Sequence, residues 1–289
     1  PCCKAVAAAG IKKVVIGMLD PNPLVNGNGI EYLREAGIEV YHGLLESECR
    51  ELNNAFLTYI STGKPWVVMK AGLSLDGKIT FRKNYGDAIT GTESLRQVHR
   101  LRDTSDAILV GIGTVTIDDP SLTARLAKGK GHDPIRIILD TSLRISEHAR
   151  VVRQISSSPT WIFCSKSVDH KKALRLERAG NIIHRVETTV DGRLNLQQVL
   201  NVLGSQQITS LLVEGGAIVH GAFLNDRLVN RACLFYAPVF AGDNGISVIS
   251  NHIVDGDGKQ AIRLANIKHR KFGEDVMICG DVLYPEKGG

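Results

Sequence analysis

Three short segments of this 289-residue chain hold residues whose type and placement could do chemistry. In Leu211-Leu212-Val213-Glu214-Gly215-Gly216 an apolar run ends on a carboxylate and two glycines, and a helical pattern follows over 217–224. A carboxylate at the end of a buried strand is costly unless it finds a partner, and open α/β sheets bind ligands at the carboxyl edge of their strands. The glycines would let backbone approach a phosphate, and the helix start would offer unpaired N–H groups at the positive end of its dipole. The same glycines would serve equally in a plain strand-to-helix turn.

The second segment runs from Asp106 through Gly111-Ile112-Gly113-Thr114 to Asp118-Asp119-Pro120-Ser121-Leu122-Thr123-Ala124-Arg125. A Gly-x-Gly-Thr turn could cradle phosphate, and Arg125 could fork onto a phosphate or carbonyl. It lacks the third glycine of a dinucleotide fingerprint, and a turn with Asp118 or Asp119 capping a helix is the plain alternative. The third segment is Lys70-Ala71-Gly72-Leu73-Ser74-Leu75-Asp76-Gly77-Lys78. A lysine inside an apolar strand must reach a partner or snorkel to water, while Asp76-Gly77 is turn chemistry.

The elements that must position these residues are legible as an α/β rhythm. Strands are expected over 66–71, 107–110, 135–139, 161–164 and 211–213, with helices over 95–102, 171–179 and 196–203. Thr90 and Glu93 have capping-box spacing. This alternation predicts a mostly parallel sheet. Strands over 233–236 and 276–283, with no helix between them, suggest late antiparallel additions. Upstream, a strand over 13–18, the turn Asp20-Pro21-Asn22-Pro23, a helix over 30–36, a strand over 39–41 and a helical pattern over 45–60 precede the breaker Gly63-Lys64-Pro65. The domain boundary is placed there, giving parts 1–63 and 64–289.

Composition narrows the class. No apolar run approaches the ~18 residues of a membrane span, and Pro1-Cys2-Cys3-Lys4 does not open a signal peptide, so a cytoplasmic protein is expected. A chain starting on Pro rather than Met reads as a piece of a longer one. The six cysteines lack regular spacing, which favours reduced thiols over a disulfide framework. The basic clusters at 96–102 and 125–130 lack interleaved aromatics, so the net charge of +5 suits a small anionic ligand and not nucleic acid. None of the nine histidines, His99 and His220 included, has a second His or Cys at metal spacing, so surface or satisfied-core roles are expected.

Taken together, KAGLSLDGKI, TGTESLRQVHRLR, DAILVGIGTVTIDDPSLTAR, PIRIILDTSLRI and LLVEGGAIVHGAFL resemble the bifunctional riboflavin-biosynthesis deaminase–reductase family. The resemblance covers essentially the whole chain, and DDPSLTAR with VEGG is its most specific part. It implies a dihydrofolate-reductase-like α/β domain over 64–289, preceded by the C-terminal part of a cytidine-deaminase-like α/β domain over 1–63. It also implies NADPH-dependent reduction of 5-amino-6-(5-phosphoribosylamino)uracil by hydride transfer to ribose C1′, in a homodimer built through the reductase domain. The partners implied are this phosphorylated pyrimidine and no membrane.

Position by position, the resemblance gives Lys70 and Glu214 catalytic roles. Substrate contacts fall on Gly86, Arg102, Leu122, Arg125 and Glu214. Cofactor contacts fall on Gly72, Ala88, Thr114, Asp118 and Thr141, and on the turn and helix start Gly216, Ala217, Ile218, Val219, His220, Gly221 and Ala222. Glu214→Gln is accordingly expected to impair turnover and spare stability. Thr141 and Arg144 are placed to select a 2′-phosphate, provided Asp140 turns away into the structure. Members often carry Ser-x-Trp-Ile where this chain has Gly86-Asp87-Ala88-Ile89, and that departure favours a rival reading, a non-catalytic nucleotide-binding module or inactive fragment. Cys2 matches the last zinc cysteine of the deaminase, but the His-x-Glu segment and first cysteine are not in the chain. No complete zinc site and no deaminase activity are therefore expected of it.

Overall fold

The computed structural model describes residues 2–286 except 23, 24, 26, 87, 130, 253–257 and 259. Pro1, Pro23, Asp87 and Lys130, which enter the sequence reading, lie outside the described residues. The chain divides into two compact units, Pro1–Trp66 and Val67–Gly289.

The first unit contains α1 (Cys2–Ala8), β1 (Lys13–Ile16), α2 (Asn28–Glu35), β2 (Glu39–His42), α3 (Glu46–Leu52) and α4 (Asn54–Thr62). β1 and β2 pair in parallel, with Lys13 opposite Glu39. The continuous helical pattern expected over 45–60 is two helices. Asn53 interrupts it, because its side-chain amide donates to the Cys49 carbonyl at 2.8 Å and competes locally with helix continuation.

The second unit runs β3 (Trp66–Leu73), α5 (Thr92–Asp103), β4 (Ala107–Gly111), α6 (Ile112–Asp118), β5 (Ile135–Leu139), α7 (Arg150–Arg153), β6 (Thr160–Ser165), α8 (His170–Arg178), β7 (Ile182–Val186), α9 (Leu196–Ser205), β8 (Ser210–Gly215), α10 (Ala217–Asn225), β9 (Arg231–Tyr236), β10 (Arg263–Phe272) and β11 (Asp275–Leu283). Among the described residues these strands form one sheet in the order β10-β11-β9-β3-β8-β4-β5-β6-β7. β4 pairs in parallel with β5 and β8, β6 with β5 and β7, and β3 with β9. β11 is antiparallel to both β9 and β10, as the late change of character suggested.

Side-chain alternation explains the layers. On β4, Leu109 enters a core with Met69, Phe163, Val199, Leu203, Val213 and Phe223, while Ile108 and Val110 enter another with Val115, Ile138, Ile162 and Leu176. A strand covered on both faces must be apolar throughout, and β4 is buried at every position. On β3 the alternation separates Val67, Met69, Ala71 and Leu73, all buried, from Lys70 and Gly72 on the half-buried side. A central strand can thus carry a lysine without placing it in the hydrocarbon core.

Several expectations are corrected. Gly91, not Thr90, is the N-cap of α5, and no side chain caps it. The Gly91 N–H donates instead to Asp275 Oδ2 at 2.8 Å, so a distant carboxylate does the work assigned to a capping box. Cys233 and Cys279 are joined as a disulfide, not left reduced, because the antiparallel register of β9 and β11 sets them opposite each other with Cα atoms 4.2 Å apart. Short α6, the outer strand β7 and the charged strand β10 carry too little apolar periodicity to stand out in sequence.

Phe223 joins α10 to the core and is fully buried. Phe223→Ala is expected to lower unfolding stability by about 3–5 kcal/mol in denaturant titration. A loss under about 1 kcal/mol would mean that α10 is not held by this core.

Candidate active site

Chain order places a crevice at one edge of the sheet. From β4 the chain moves outward through β5, β6 and β7, then returns to lay β8 on the other side of β4. Ligands of open α/β sheets bind outside the carboxyl ends of strands at such a reversal. Glu214 on β8, Gly111 closing β4 and Thr141 just past β5 come from the carboxyl ends of neighbouring strands, while Lys70 lies mid-strand on β3 and reaches Glu214 with its side chain.

Glu214 lies at the centre. Arg102, in the last turn of α5, donates from Nε to Oε1 at 2.7 Å and from Nη2 to Oε2 at 2.8 Å. Lys70 Nζ stands 3.6 Å from Oε2. The side chains of Lys70, Arg102 and Glu214 are only 15%, 12% and 7% exposed. Burial pushes the Glu214 carboxyl up, but Lys70 and Arg102 outweigh it and hold it at about 2. Burial lowers the Lys70 pKa, and the attraction of Glu214 offsets this only in part. For Arg102 the attraction of Glu214 exceeds the cost of burial. Two cations on one carboxylate leave a net positive charge facing whatever enters the crevice.

Beside this group, Arg102 Nη1 also donates to the Thr123 carbonyl at 3.2 Å. Leu122 sits in the left-handed region (φ 55°) with its side chain in the core, so only its backbone can meet a ligand. Arg125 projects its side chain to the surface. His99 is buried, with Nδ1 3.2 Å from the Thr123 carbonyl oxygen.

The glycine turn closes β8 at Gly215 (φ 115°), and the Gly215–Gly216 bond is cis. Gly216 is the N-cap of α10 and brings no side-chain bond, so the first N–H groups of the helix are left for another acceptor. A Cβ on Gly216 would lie 3.5 Å from Thr114 Oγ1, which puts these two expected cofactor contacts together. Of the helix start, Ile218 is exposed and Ala222 half-buried, whereas the side chains of Ala217, Val219 and His220 pack inward. Gly221 is buried where a Cβ would lie 1.9 Å from the Ser250 carbonyl oxygen. His220 Nδ1 is 3.2 Å from the Val248 carbonyl oxygen, and burial holds its pKa at about 4.

Other expected contacts fall along the same edge. A Cβ on Gly72 would lie 3.1 Å from Thr90 Oγ1. Gly86 and Asp118 are brought together, since a Cβ on Gly86 would lie 1.8 Å from Asp118 Oδ1. In this chain the Asp118 carboxylate therefore fills the space a serine at 86 would need. Ala88 is exposed and Thr141 half-buried. Asp140 is turned inward, its Oδ2 accepting the Ile145 N–H at 2.7 Å, while Arg144 is exposed. A cavity of about 350 Å³ adjoins the start of α5, lined by Ile89, Gly91, Glu93, Phe272 and Asp275 among others, and none of the expected site residues lines it. Cys2 is exposed on α1, and among the described residues no group of three His, Cys, Asp or Glu side chains could hold a metal ion.

His99, expected as a surface or satisfied-core histidine, is a buried one with hydrogen-bond partners, and it shares a helix face with Arg102 three residues on. The Thr123 carbonyl and the approach of Thr90 to Gly72 were not read from the sequence.

The RibD C-terminal domain family model matches residues 65–278. The riboflavin biosynthesis protein RibD of Bacillus amyloliquefaciens is 38% identical over 282 residues, spanning 98% of this chain and 73% of its own. Its counterpart from Aquifex aeolicus is 37% identical, spanning 96% and 75%. Among solved structures, form 1 of Acinetobacter baumannii RibD matches with a TM-score of 0.85 at 29% identity, over 98% of this chain and 76% of that one. A diaminohydroxyphosphoribosylaminopyrimidine deaminase/5-amino-6-(5-phosphoribosylamino)uracil reductase from Thermotoga maritima matches with a TM-score of 0.79 at 32% identity, over 98% and 75%.

The geometry revises the expectation that Glu214→Gln would spare stability, because the substitution leaves two buried cations without a counter-charge. Breaking a buried pair in this way costs about 3–5 kcal/mol. The carboxyl is lowered from 4.5 to about 2, so its contribution is complete above 4.5 and is lost as pH falls through about 2. Denaturant titrations should therefore show a gap between the two proteins at neutral pH that closes over that acid range. A gap under about 1 kcal/mol, or one unchanged by acid, would contradict the pairing.

Proposed function

The chain belongs to the RibD C-terminal domain family, and from that premise we propose how its residues carry out the family's reduction of 5-amino-6-(5-phosphoribosylamino)uracil in riboflavin biosynthesis. The observation that carries the reading is the buried Lys70–Glu214–Arg102 group, centred on the carboxyl end of β8 and reached by Lys70 from β3. It supplies fixed charge and a proton-bearing ammonium at the place where an α/β sheet binds its ligand.

NADPH is the proposed cofactor, and when bound it supplies the hydride that ribose C1′ gains. The residues present fit it: the uncapped start of α10 and the glycine at 216 beside Thr114 form a cradle for a pyrophosphate. Gly72, Thr114 and Asp118 would line its path, with Ala88 and Thr141 at its flanks. In the ring-opened substrate C1′ is an imine carbon, and its reduction requires a proton at nitrogen. Lys70 holds that proton, and burial makes it a stronger acid than a surface lysine. Glu214 orients Lys70 and Arg102 and presents its remaining lone pairs to the pyrimidine amino groups. Arg125 meets the anionic end of the substrate, with the backbone at Gly86 and Leu122 beside it.

The rival reading, a non-catalytic module, rested on the departure at 86–88. There Gly86 accommodates the Asp118 carboxylate, and Lys70, Arg102 and Glu214 are all retained. The proposed boundary between a deaminase-like part and the reductase lies at 63/64. Cys2 and Cys3 alone do not fit a zinc site among the described residues, so no deaminase step is derived. A homodimer through the reductase part is supported by β10, a long outer strand exposed along most of its length. Among the described residues no helix is long and apolar enough to cross a membrane, and a cytoplasmic location is proposed.

Two measurements test this reading. NADPH oxidation driven by the substrate should fall in kcat by about a hundredfold in Lys70→Met, with KM for NADPH unchanged. An unaltered kcat would remove Lys70 from the reaction. NADPH should be preferred over NADH by about tenfold in kcat/KM, or ~1.4 kcal/mol, and Thr141→Ala with Arg144→Ala should shrink that ratio. Equal use of both cofactors by the unmodified chain would place the 2′-phosphate elsewhere.

A further inference from the structure

We propose that His99 is a positioning residue that fixes the 122–125 segment, and with it Arg125, against the Arg102–Glu214 pair. This rests on the reading above that Arg125 meets the anionic end of the substrate. His99 and Arg102 lie three residues apart on α5 and present one face to this segment. His99 Nδ1 is 3.2 Å from the Thr123 carbonyl oxygen and 3.2 Å from the Arg125 backbone nitrogen. One ring nitrogen cannot donate to the first and accept from the second. The Arg125 N–H can only donate, whereas the Thr123 carbonyl already accepts from Arg102 Nη1, so the consistent arrangement is a neutral ring with its proton on Nε2 and Nδ1 accepting the Arg125 N–H. Burial, with the nearby charges of Arg102 and Arg125, pushes the His99 pKa down and favours that neutral form.

The rest of the segment is pinned in the same way. Leu122 buries its side chain from a left-handed backbone, and the Ala124 N–H donates to Asp133 Oδ1 at 2.9 Å. With Thr123 held by Arg102 and Arg125 by His99, each residue from 122 to 125 has one fixed point. The Arg125 guanidinium, exposed, is the part left to reach outward. Fixed backbone beneath an exposed cation lets it bind an anion with little of the segment left to order.

The test compares His99→Leu, His99→Asn and His99→Gln with Arg125→Ala. Asparagine places a polar atom where Nδ1 stands, and glutamine places one nearer Nε2. Loss of uniform binding raises KM and leaves kcat unchanged. His99→Leu and His99→Gln should therefore raise substrate KM about tenfold with kcat within about twofold, while His99→Asn stays close to the unmodified protein. In the Arg125→Ala background His99→Leu should add nothing. A His99→Leu protein with unaltered substrate KM, or effects that multiply with Arg125→Ala, would overturn the proposal. If His99→Leu does not fold, the Asn and Gln variants decide, and equal KM values in the two would overturn it. Amide hydrogen exchange over 123–126 separates this claim from the proposed reaction. Exchange there should quicken in His99→Gln and not in His99→Asn whether or not the unmodified chain turns over, and unchanged exchange in both would overturn the positioning role. A folded unmodified chain with no NADPH-dependent turnover would overturn the functional reading alone.

Discussion

The arrangement depends on one carboxylate that cannot be left alone. Glu214 is the penultimate residue of a strand lying beside the wholly buried β4, and its ionised form is tolerable there only because Arg102 forks onto both oxygens and Lys70 approaches from β3. Each partner comes from a different element, so the ion group ties α5, β3 and β8 together at the point where the chain reverses direction across the sheet. Replacing a buried ion group by apolar side chains of similar volume is often neutral or stabilising. Keeping the charges therefore makes sense as chemistry: a buried, positively biased corner beside an uncapped helix start.

The glycines around this corner answer to close approach as much as to turn geometry. Gly111 has Val219 of α10 pressed against it, Gly72 has Thr90, and Gly86 has the Asp118 carboxylate. Side chains at these positions would push apart the strand ends, the helix start and the loop that together form the edge. Within α10 the division of labour is clear from burial. Phe223 and Leu224 hold the helix to the core, while its first turn has no side-chain cap and Ile218 is exposed.

Much of this was legible in the sequence, for physical reasons that differ by element. β4 and β8 announced themselves because strands buried on both faces must be continuously apolar. Glu214 stood out as a charge in such a strand and Lys70 as a charge in the apolar strand β3, and the structure brings them within 3.6 Å of each other. That Arg102 would fork onto Glu214 was not legible, because 112 residues separate them and only the packing of α5 on the sheet brings them together. The capping box failed on a similarly distant partner, Asp275. Reduced thiols were expected from irregular cysteine spacing, yet the Cys233–Cys279 contact is a matter of strand register, which spacing does not encode. Asp140 went as expected, turning inward to the Ile145 amide.

Hydride delivery to ribose C1′ of the phosphoribosylaminouracil is the step on which the roles of these residues rest. The most direct measurement follows a deuterium carried at C4 of the nicotinamide of NADPH, in the transferable position, through to the isolated product. One deuterium is expected at C1′ of the ribityl chain for each NADPH oxidised, and none when Lys70, Arg102 and Glu214 are replaced together in a chain that still folds. Cofactor oxidation without label at C1′, or label retained after that triple replacement, would contradict it.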